Sequence, residues 1–379
     1  MENGRKRVKT WLLGAVLVVQ LILLLAHGFL YFTWTAFWPS LGPAGRVDLG
    51  IALLILACVF VFATLLSFRY SNPAVALFYH ASAIWLGFSN FLFLAAIATW
   101  PVWLIVRLAH ADAPQARMWT SGSLTALAIA AGIYGLVNAR VIRVRRHTVR
   151  LPNLPDAWRG RRAVLLSYLH LGNINGIAFS RRVAQQIARL EPDIVFLPGD
   201  LFDGTHVDAD RLLAPFGELK PPLGIYYSTG NHEEFGDPAR YTEPVARAGF
   251  RVLASERVTV DGLDIVGLAH HDSVDPWRMR TLLEHMNLDG VRPSILLNHV
   301  PSYLAVVEQA GVSLQLSGHT HRGQIFPYNL LARRVFGRFV HGLNRLDSLQ
   351  VYTSSGAGTW GPPMRVATSP EIVALEFDG

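Results

Sequence analysis

Long apolar runs fill the first part of the chain, and shorter ones alternate with polar stretches after it. The long runs cover about residues 8–34, 49–68, 73–108 and 124–142. A helix needs roughly 20 apolar residues to cross a hydrocarbon core of about 30 Å, so each run is long enough to span a membrane. The third run contains Pro101 and predicts either one tilted helix or two short ones.

The first run could also be the apolar part of a secretory signal peptide. Such peptides have an apolar region of about 7–15 residues. The run at 8–34 is longer, and further runs follow it. The pattern therefore favours an uncleaved membrane anchor.

Two groups of basic residues flank the apolar region: Arg5, Lys6, Arg7 and Lys9 before it, and Arg140, Arg143, Arg145, Arg146 and Arg150 after it. Lys and Arg are enriched in cytoplasmic loops. Both basic groups lie on the same side of the membrane only if the chain crosses it an even number of times. We therefore expect about four helices in a transmembrane domain, residues 1–142, of the plasma (inner) membrane, with the rest of the chain cytoplasmic. If the third run forms two helices, the rest of the chain faces outward.

Composition supports a membrane protein and excludes other classes. Hydrophobic residues make up 51% of the chain and the mean hydropathy is +0.30, more than in an ordinary soluble protein. The net charge of +7 suits anionic lipid. No recognition helix or aromatic-basic motif accompanies this charge, so we expect no nucleic-acid partner. Cys58 is the single cysteine, which excludes disulfides within the chain and cysteine-based metal sites.

Beyond the apolar region the pattern is that of an α/β domain. Residues 143–162 are basic and contain Pro152 and Pro155, which predicts a linker beside the membrane. Strand-like and helix-like stretches then alternate, as in βα units. Helices are predicted over about residues 180–190, 237–248 and 276–286, and the domain over residues 163–379.

Five strand-like runs in this domain end in residues that can bind metal ions. The runs at 163–167, 193–196, 225–229, 295–297 and 314–317 are followed, in the same order, by Tyr168 and His170; by Asp200 and Asp203; by Asn231 and His232; by His299; and by His319 and His321. Ligands of open α/β sheets bind at the carboxyl ends of the strands. Carboxylate, amide oxygen and imidazole are metal ligands. We therefore expect a metal site at one edge of one sheet.

Local geometry supports two of these assignments. Gly199 precedes Asp200 and allows a sharp turn after the strand. His319 and His321 are two residues apart, and in an extended segment such residues point to the same side. The two imidazoles could therefore serve neighbouring metal ions.

These motifs resemble those of the calcineurin-like metallophosphoesterases, and most of all the membrane-associated bacterial phosphodiesterases of that family. The family's patterns are Asp-x-His, Gly-Asp-x-x-Asp, Gly-Asn-His-Glu or Asp, a lone His, and Gly-His-x-His. Here they correspond to residues 168–170, 199–203, 230–233, 299 and 318–321, and four of the five are intact. The resemblance implies a four-layer α/β/β/α sandwich after the transmembrane helices. It also implies hydrolysis of a phosphodiester or diphosphate, and the membrane anchor suggests a lipid-linked phosphate.

The resemblance also implies roles for the site residues. Two divalent ions, Mn²⁺, Zn²⁺ or Fe, would share Asp200, with the remaining ligands being His170 and His321 for the first ion and Asn231, His299 and His319 for the second. His232 follows a ligand directly, so we expect it to face the substrate as an acid, with Asp203 orienting its ring. Glu233 and Glu234 are expected to be solvated.

Tyr168 is the departure from the family pattern, because it stands where the family has a metal-binding Asp. A phenol has a pKa near 10 and binds a metal only when the metal deprotonates it. Three outcomes follow: a phenolate-ligated first site favouring Fe³⁺, a first ion bound weakly by three protein ligands and water, or an inactive protein. The alternative to an enzyme is therefore a pseudoenzyme or a module that binds a phosphorylated ligand.

Overall fold

The computed structural model describes residues 2–109, 113–288 and 290–379, and for residues 2–13 and 15 only the backbone. The side chains of Arg5, Lys6, Arg7 and Lys9 therefore lie outside the described part. The chain divides into two compact units, Met1–Leu136 with Gly361–Met364, and Val137–Trp360 with Arg365–Gly379.

The first unit is built from four long helices: α1 (Glu2–Phe37), α2 (Pro43–Arg69), α3 (Pro73–Leu108) and α4 (Pro114–Asn138). In the described part of the chain, these four helices are long and apolar enough to cross a membrane. The third apolar run forms one helix of 36 residues that continues through Pro101. The expectation of four apolar helices is therefore confirmed.

The second unit contains two six-stranded sheets, ordered β1-β12-β2-β3-β4-β5 and β10-β11-β9-β8-β7-β6. Their strands are β1 (Arg143–Arg150), β2 (Arg162–Leu165), β3 (Ile194–Pro198), β4 (Ile225–Ser228), β5 (Arg251–Val252), β6 (Glu256–Val260), β7 (Leu263–Gly267), β8 (Ser294–Leu297), β9 (Leu314–Ser317), β10 (Gly342–Leu346), β11 (Leu349–Thr353) and β12 (Glu371–Asp378). Strands β2 to β5 run parallel, and so do β7, β8, β9 and β11.

Helices cover the outer faces of both sheets. The helices that follow α4 are α5 (Ile177–Ala188), α6 (Ala209–Leu213), α7 (Ala239–Arg247), α8 (His270–Ser273), α9 (Pro276–His285), α10 (Leu304–Gln309) and α11 (Tyr328–Phe336), and α11 has no buried residue. Strand β3 shows the layering. Val195 and Leu197 pack with α5, α6 and α7, whereas Ile194 and Phe196 pack between the sheets. Helices α9 and α10 pack on the second sheet. The predicted α/β/β/α sandwich is confirmed.

The strands that precede the candidate ligands form as predicted, but not in one sheet. Strands β2, β3 and β4 belong to the first sheet, and β8 and β9 to the second. The expectation of a single sheet edge was wrong, because the antiparallel hairpin β6–β7 starts a new sheet after β5. The candidate ligands therefore come from the carboxyl ends of strands in two facing sheets.

The prediction of a linker at residues 143–162 was also wrong. Residues Arg143–Arg150 form β1, which pairs in parallel with β12. The ring of Trp158 is fully buried between the sheets, and its Nε1 donates a hydrogen bond to the carbonyl of Val260 at 2.9 Å. Strand β1 lies at the edge of the sheet, and its many exposed arginines conceal the strand pattern in the sequence.

Asp193 ties the start of β3 to the start of β2. Its carboxylate accepts hydrogen bonds from Arg161 Nη1 and from the backbone N–H of Arg162, both at 2.8 Å. Partial burial raises the pKa of Asp193, but these two donors and the arginine charges outweigh burial and lower it. The carboxylate form is therefore the one that stabilises the fold.

We expect Asp193→Asn to lower the free energy of unfolding by about 1 kcal/mol at neutral pH. Because the folded pKa lies below the unfolded value of about 3.9, this contribution is present above about pH 5 and is lost as the pH falls further. Thermal unfolding of both proteins in detergent from neutral to acid pH measures the difference. Asp378→Asn, which removes the exposed partner of Arg150, is the control and should have little effect. A difference that grows towards acid pH would contradict the assignment.

Candidate metal centre

The backbone turns sharply at the candidate ligands. His170, Asp200, His319 and His321 have φ values of 43°, 52°, 62° and 47°, and Tyr168 has 54°. Residues other than glycine rarely adopt this left-handed conformation, and where they do they cluster at functional sites. Gly199 has a φ of 85°, and a Cβ there would lie 2.6 Å from Gly230 Cα. The prediction of a sharp turn at Gly199 is confirmed.

The carboxylate of Asp200 lies at the centre of the site, with its side chain 2% exposed. Its Oδ2 lies 3.3 Å from His299 Nε2 and 3.7 Å from His170 Nε2. Its Oδ1 accepts a hydrogen bond from the backbone N–H of His232 at 3.1 Å. A single carboxylate oxygen thus lies between imidazoles from different sheets.

One group of donors lies on the His299 side of Asp200. Asn231 Oδ1 is 3.0 Å from His299 Nε2 and 3.1 Å from His319 Nδ1, and these two nitrogens are 3.3 Å apart. His299 Nδ1 donates a hydrogen bond to the carbonyl of Pro198 at 2.9 Å. In the neutral imidazole, Nε2 then directs its lone pair at the oxygens of Asn231 and Asp200. That arrangement is favourable only with a cation or a proton between them.

The other group lies on the His170 side. His170 Nε2 and His321 Nε2 are 3.2 Å apart, and their rings stack at 5.1 Å between centroids. One ring nitrogen of His232 and one carboxylate oxygen of Asp200 lie within 4.8 Å of a ring nitrogen of His170. All these side chains are buried except that of His321, which is partly buried.

The geometry of both groups fits metal ions. An ion held about 2.1 Å from two ligands, at the angles of tetrahedral or octahedral sites, separates the ligand atoms by about 3.0–3.4 Å. The separations of 3.0 to 3.3 Å around Asn231, His299 and His319 lie in this range. So does the 3.2 Å between His170 and His321. These residues, with Asp200 shared, could hold two ions.

The electrostatics of the site favour a cation. Burial lowers the pKa of His170 and of His321 well below the usual value, so both imidazoles are neutral and their lone pairs are free of protons. Burial alone would raise the pKa of Asp200, but the neighbouring charges of His299 and His232 lower it. Burial opposes protonation of His299, yet the Asp200 carboxylate outweighs burial and raises the pKa of His299. The Asp200 carboxylate therefore provides buried negative charge for a cation.

Tyr168 lies beside the candidate ligands on the His170 side. Its ring is 1% exposed and sits 3.7 Å from the His321 ring and 5.1 Å from the His170 ring, measured between centroids. Its hydroxyl is buried and has no hydrogen-bond partner in the described part of the chain. Tyr168 therefore packs directly against both imidazoles of this group.

His232 is oriented by Asp203, but through the backbone. His232 Nδ1 donates a hydrogen bond to the carbonyl of Asp203 at 2.9 Å. The Asp203 carboxylate instead accepts hydrogen bonds from the hydroxyl of Thr205 at 2.5 Å and from the N–H of Asn173 at 3.2 Å. The expected contact between the Asp203 carboxylate and the imidazole is therefore absent, and this carboxylate shapes the loop that presents the carbonyl.

Glu233 was expected to be solvated and is fully buried. Its carboxylate accepts hydrogen bonds from the backbone N–H groups of Asp200, Phe202 and Gly230 at 3.0, 2.9 and 2.7 Å. Glu234 is also engaged, since it accepts hydrogen bonds from Thr229 and from the N–H of His270. The sequence signal that could have indicated a structural role for Glu233 is its place at the acidic position of the Gly-Asn-His-Glu pattern. Two of the donors, Asp200 and Phe202, lie on the loop after β3, far from Glu233 in the chain, and no spacing in the sequence reveals this contact.

Arg365 is a second supporting residue that sequence reasoning missed. It is fully buried and donates hydrogen bonds to the carbonyls of Gly358, Ser355 and His321 at 2.6, 2.7 and 3.1 Å. Burial lowers the pKa of Arg365 to about 10, with Glu371 acting in the opposite direction, so the guanidinium stays charged at neutral pH. Arg365 therefore fixes the backbone of the His321 loop.

We expect Glu233→Gln to lower the free energy of unfolding by about 2–4 kcal/mol, because the amide NH₂ would face buried N–H donors. Thermal unfolding of the full chain in detergent measures this effect. Glu243→Gln on the exposed face of α7 is the matched control. Equal stability of the two variants would show that the three hydrogen bonds do not hold the loops together.

Comparisons with known proteins agree with this architecture. The profile described as "Calcineurin-like phosphoesterase" matches residues 166–323. A transmembrane protein with metallophosphoesterase domain from Danio rerio is 34% identical over 64% of this chain and 59% of its own length. An uncharacterized metallophosphoesterase from Aquifex aeolicus is 30% identical over 67% of this chain and 98% of its own. The metallophosphoesterase YkuE of Bacillus subtilis is 28% identical over 67% of this chain and 93% of its own.

The fold and the site together define a metallophosphoesterase domain that follows four membrane-type helices. The chain belongs to the calcineurin-like metallophosphoesterase family. The matched region spans 59% of the length of the Danio rerio relative.

Proposed function

We propose that this protein is a membrane-anchored, metal-dependent phosphoesterase that hydrolyses a phosphodiester or diphosphate. The observation that carries the proposal is the position of Asp200 Oδ2 between His170 Nε2 and His299 Nε2. Asp200 would bridge two ions, with His170 and His321 on one side and Asn231, His299 and His319 on the other. The domain from residue 163 onwards would carry the site, and residues 1–142 would anchor it.

Two divalent ions, Mn²⁺, Zn²⁺ or Fe, would activate the attacking water and neutralise charge on the phosphoryl oxygens. The protein supplies the acid. Because Nδ1 of His232 donates to the Asp203 carbonyl, Nε2 carries a proton only in the imidazolium form. That proton would pass to the leaving oxygen as the P–O bond breaks and the water oxygen bonds to phosphorus.

The activity is tested with the purified full chain, Mn²⁺ and bis(p-nitrophenyl) phosphate. We expect turnover that falls by about 10²–10⁴-fold in His232→Ala, because the leaving group loses its proton donor. His206→Ala, at an exposed position on the neighbouring loop, is the control and should keep full activity. Absence of turnover in the unmodified protein with Mn²⁺, Zn²⁺ and Fe²⁺ would overturn the proposal and support the pseudoenzyme.

A lipid-linked phosphate is the substrate we propose, because a tethered domain meets lipid headgroups at high effective concentration. Release of phosphate from a lipid diphosphate in nanodiscs, compared with a short-chain analogue in solution, tests this choice. Equal kcat/KM for both would refute a lipid preference.

We also propose that the protein lies in the plasma (inner) membrane with the domain in the cytoplasm. Carboxyl-terminal reporter fusions test this orientation, and a reporter that is active only outside the cell would reverse the orientation.

A further inference from the structure

Helix α11 carries a dense exposed apolar surface. Tyr328, Leu330, Leu331 and Val335 are 51%, 57%, 58% and 65% exposed, and no residue of the helix is buried. We call Tyr328, Leu331 and Val335 the α11 face. Tyr328, Leu331 and Val335 follow one another at intervals of three and four residues, which aligns them along one side of the helix. No other described helix of the second unit has more than one large exposed apolar side chain.

The chain segment that contains this helix carries charges of one sign. Residues 322–346 contain Arg322, Arg333, Arg334, Arg338 and Arg345 and no Asp or Glu. Arg333 and Arg334 are exposed within α11 itself. A short helix that combines exposed Leu and Tyr with arginines is the pattern of a segment lying in a lipid–water interface, where basic side chains reach anionic headgroups.

The chain itself keeps the second unit close to a bilayer. Helix α4 ends at Asn138 and β1 begins at Arg143, so four residues join an apolar helix long enough to span a membrane to the first strand of the sheet. Such a tether gives a nearby lipid surface a high effective concentration, which favours it over a partner that must arrive by diffusion.

Helix α11 also adjoins the metal centre. The ring of Phe336, at its last position, lies 6.1 Å from the ring of His319, measured between centroids. The helix follows the segment that contains His319 and His321 after only six residues. A contact made by α11 is therefore made beside the ligands of the site.

We propose that the α11 face docks into the surface of an anionic bilayer, with Arg333 and Arg334 on the headgroups. This inference goes beyond the proposed function, because docking requires no turnover. Docking would bring the His319 side of the candidate metal centre close to the lipid headgroups.

The test uses the full chain with Cys58→Ser, reconstituted in phosphatidylcholine nanodiscs with or without about one third phosphatidylglycerol. A nitroxide is attached at Leu331→Cys or, as the matched control, at Gln185→Cys on the exposed face of α5. Collision rates with oxygen, which partitions into lipid, and with a water-soluble nickel chelate report the surroundings of each label. We expect a several-fold higher oxygen-to-nickel ratio at 331 than at 185, with a further rise in anionic nanodiscs that Arg333→Glu with Arg334→Glu abolishes.

Two results would overturn the proposal. Equal ratios at 331 and 185 in both lipids would show that the α11 face stays in water. A low collision rate between the label at 331 and the nickel chelate that persists in detergent, and falls further as protein concentration rises, would assign the face to a second copy of the chain. Both labels lie at exposed positions and the readout is independent of hydrolysis, so failure of the phosphoesterase proposal leaves this test intact.

Discussion

Asp200→Asn is expected to abolish phosphoesterase activity, with a loss of about a thousandfold or more in kcat. The variant keeps the shape of the side chain but removes the charge of the oxygen that lies between His170 and His299. Charge stabilisation by a bridged pair of ions contributes several kcal/mol to the transition state, and each ~1.4 kcal/mol is tenfold in rate. Metal analysis of the purified protein should show a parallel loss of bound ions.

Asp210→Asn is the matched control, since the Asp210 carboxylate is exposed and pairs with Arg247. It should retain activity and metal content. If Asp200→Asn retained both, the shared-ligand arrangement proposed for Asp200 would be wrong.

Tyr168→Asp is expected to act in the opposite direction. It restores the family's Asp-x-His pattern and places a second carboxylate beside His170 and His321. A hard, charged ligand should raise occupancy of the first site, so we expect metal content to rise from about one to about two ions per chain. A gain in turnover of about tenfold would correspond to ~1.4 kcal/mol of transition-state stabilisation.

Tyr168→Phe separates the hydroxyl from the ring. The hydroxyl is buried without a partner in the described part of the chain, so its removal should leave the thermal midpoint unchanged or higher. Unchanged activity in Tyr168→Phe would show that the phenol is not a ligand. Unchanged metal content in Tyr168→Asp would show that the missing carboxylate does not limit metal occupancy of the first site.

The sequence predicted the ligand-bearing strands well because each has a strong local signal. An apolar run such as the one ending at Phe196, followed by Gly199 and Asp200, defines both the strand and the turn. The four apolar helices are predicted for the same reason, since length and hydropathy are local properties. The orientation of the Asp203 carboxylate, in contrast, is set by hydrogen bonds from the hydroxyl of Thr205 and the N–H of Asn173.

Contacts between distant segments were the features that the sequence did not reveal. Strand β1 is recognisable only beside β12, which lies more than two hundred residues further along the chain. Glu233 was predicted to be a surface residue because two of its backbone donors, Asp200 and Phe202, belong to a loop that meets its own only in the folded protein. The burial of Arg365 was not predicted for the same reason, since its guanidinium donates to carbonyls of His321, Ser355 and Gly358, which come together only on folding.

The position of β12 has a consequence for biogenesis. This strand, formed by residues 371–378, lies between β1 and β2 and pairs with both of them in the first sheet. During translation, α1 to α4 leave the ribosome early and can enter the membrane, whereas the first sheet must wait for its interior strand. The nascent domain would therefore expose two unpaired strand edges at the membrane surface until synthesis of this segment is complete.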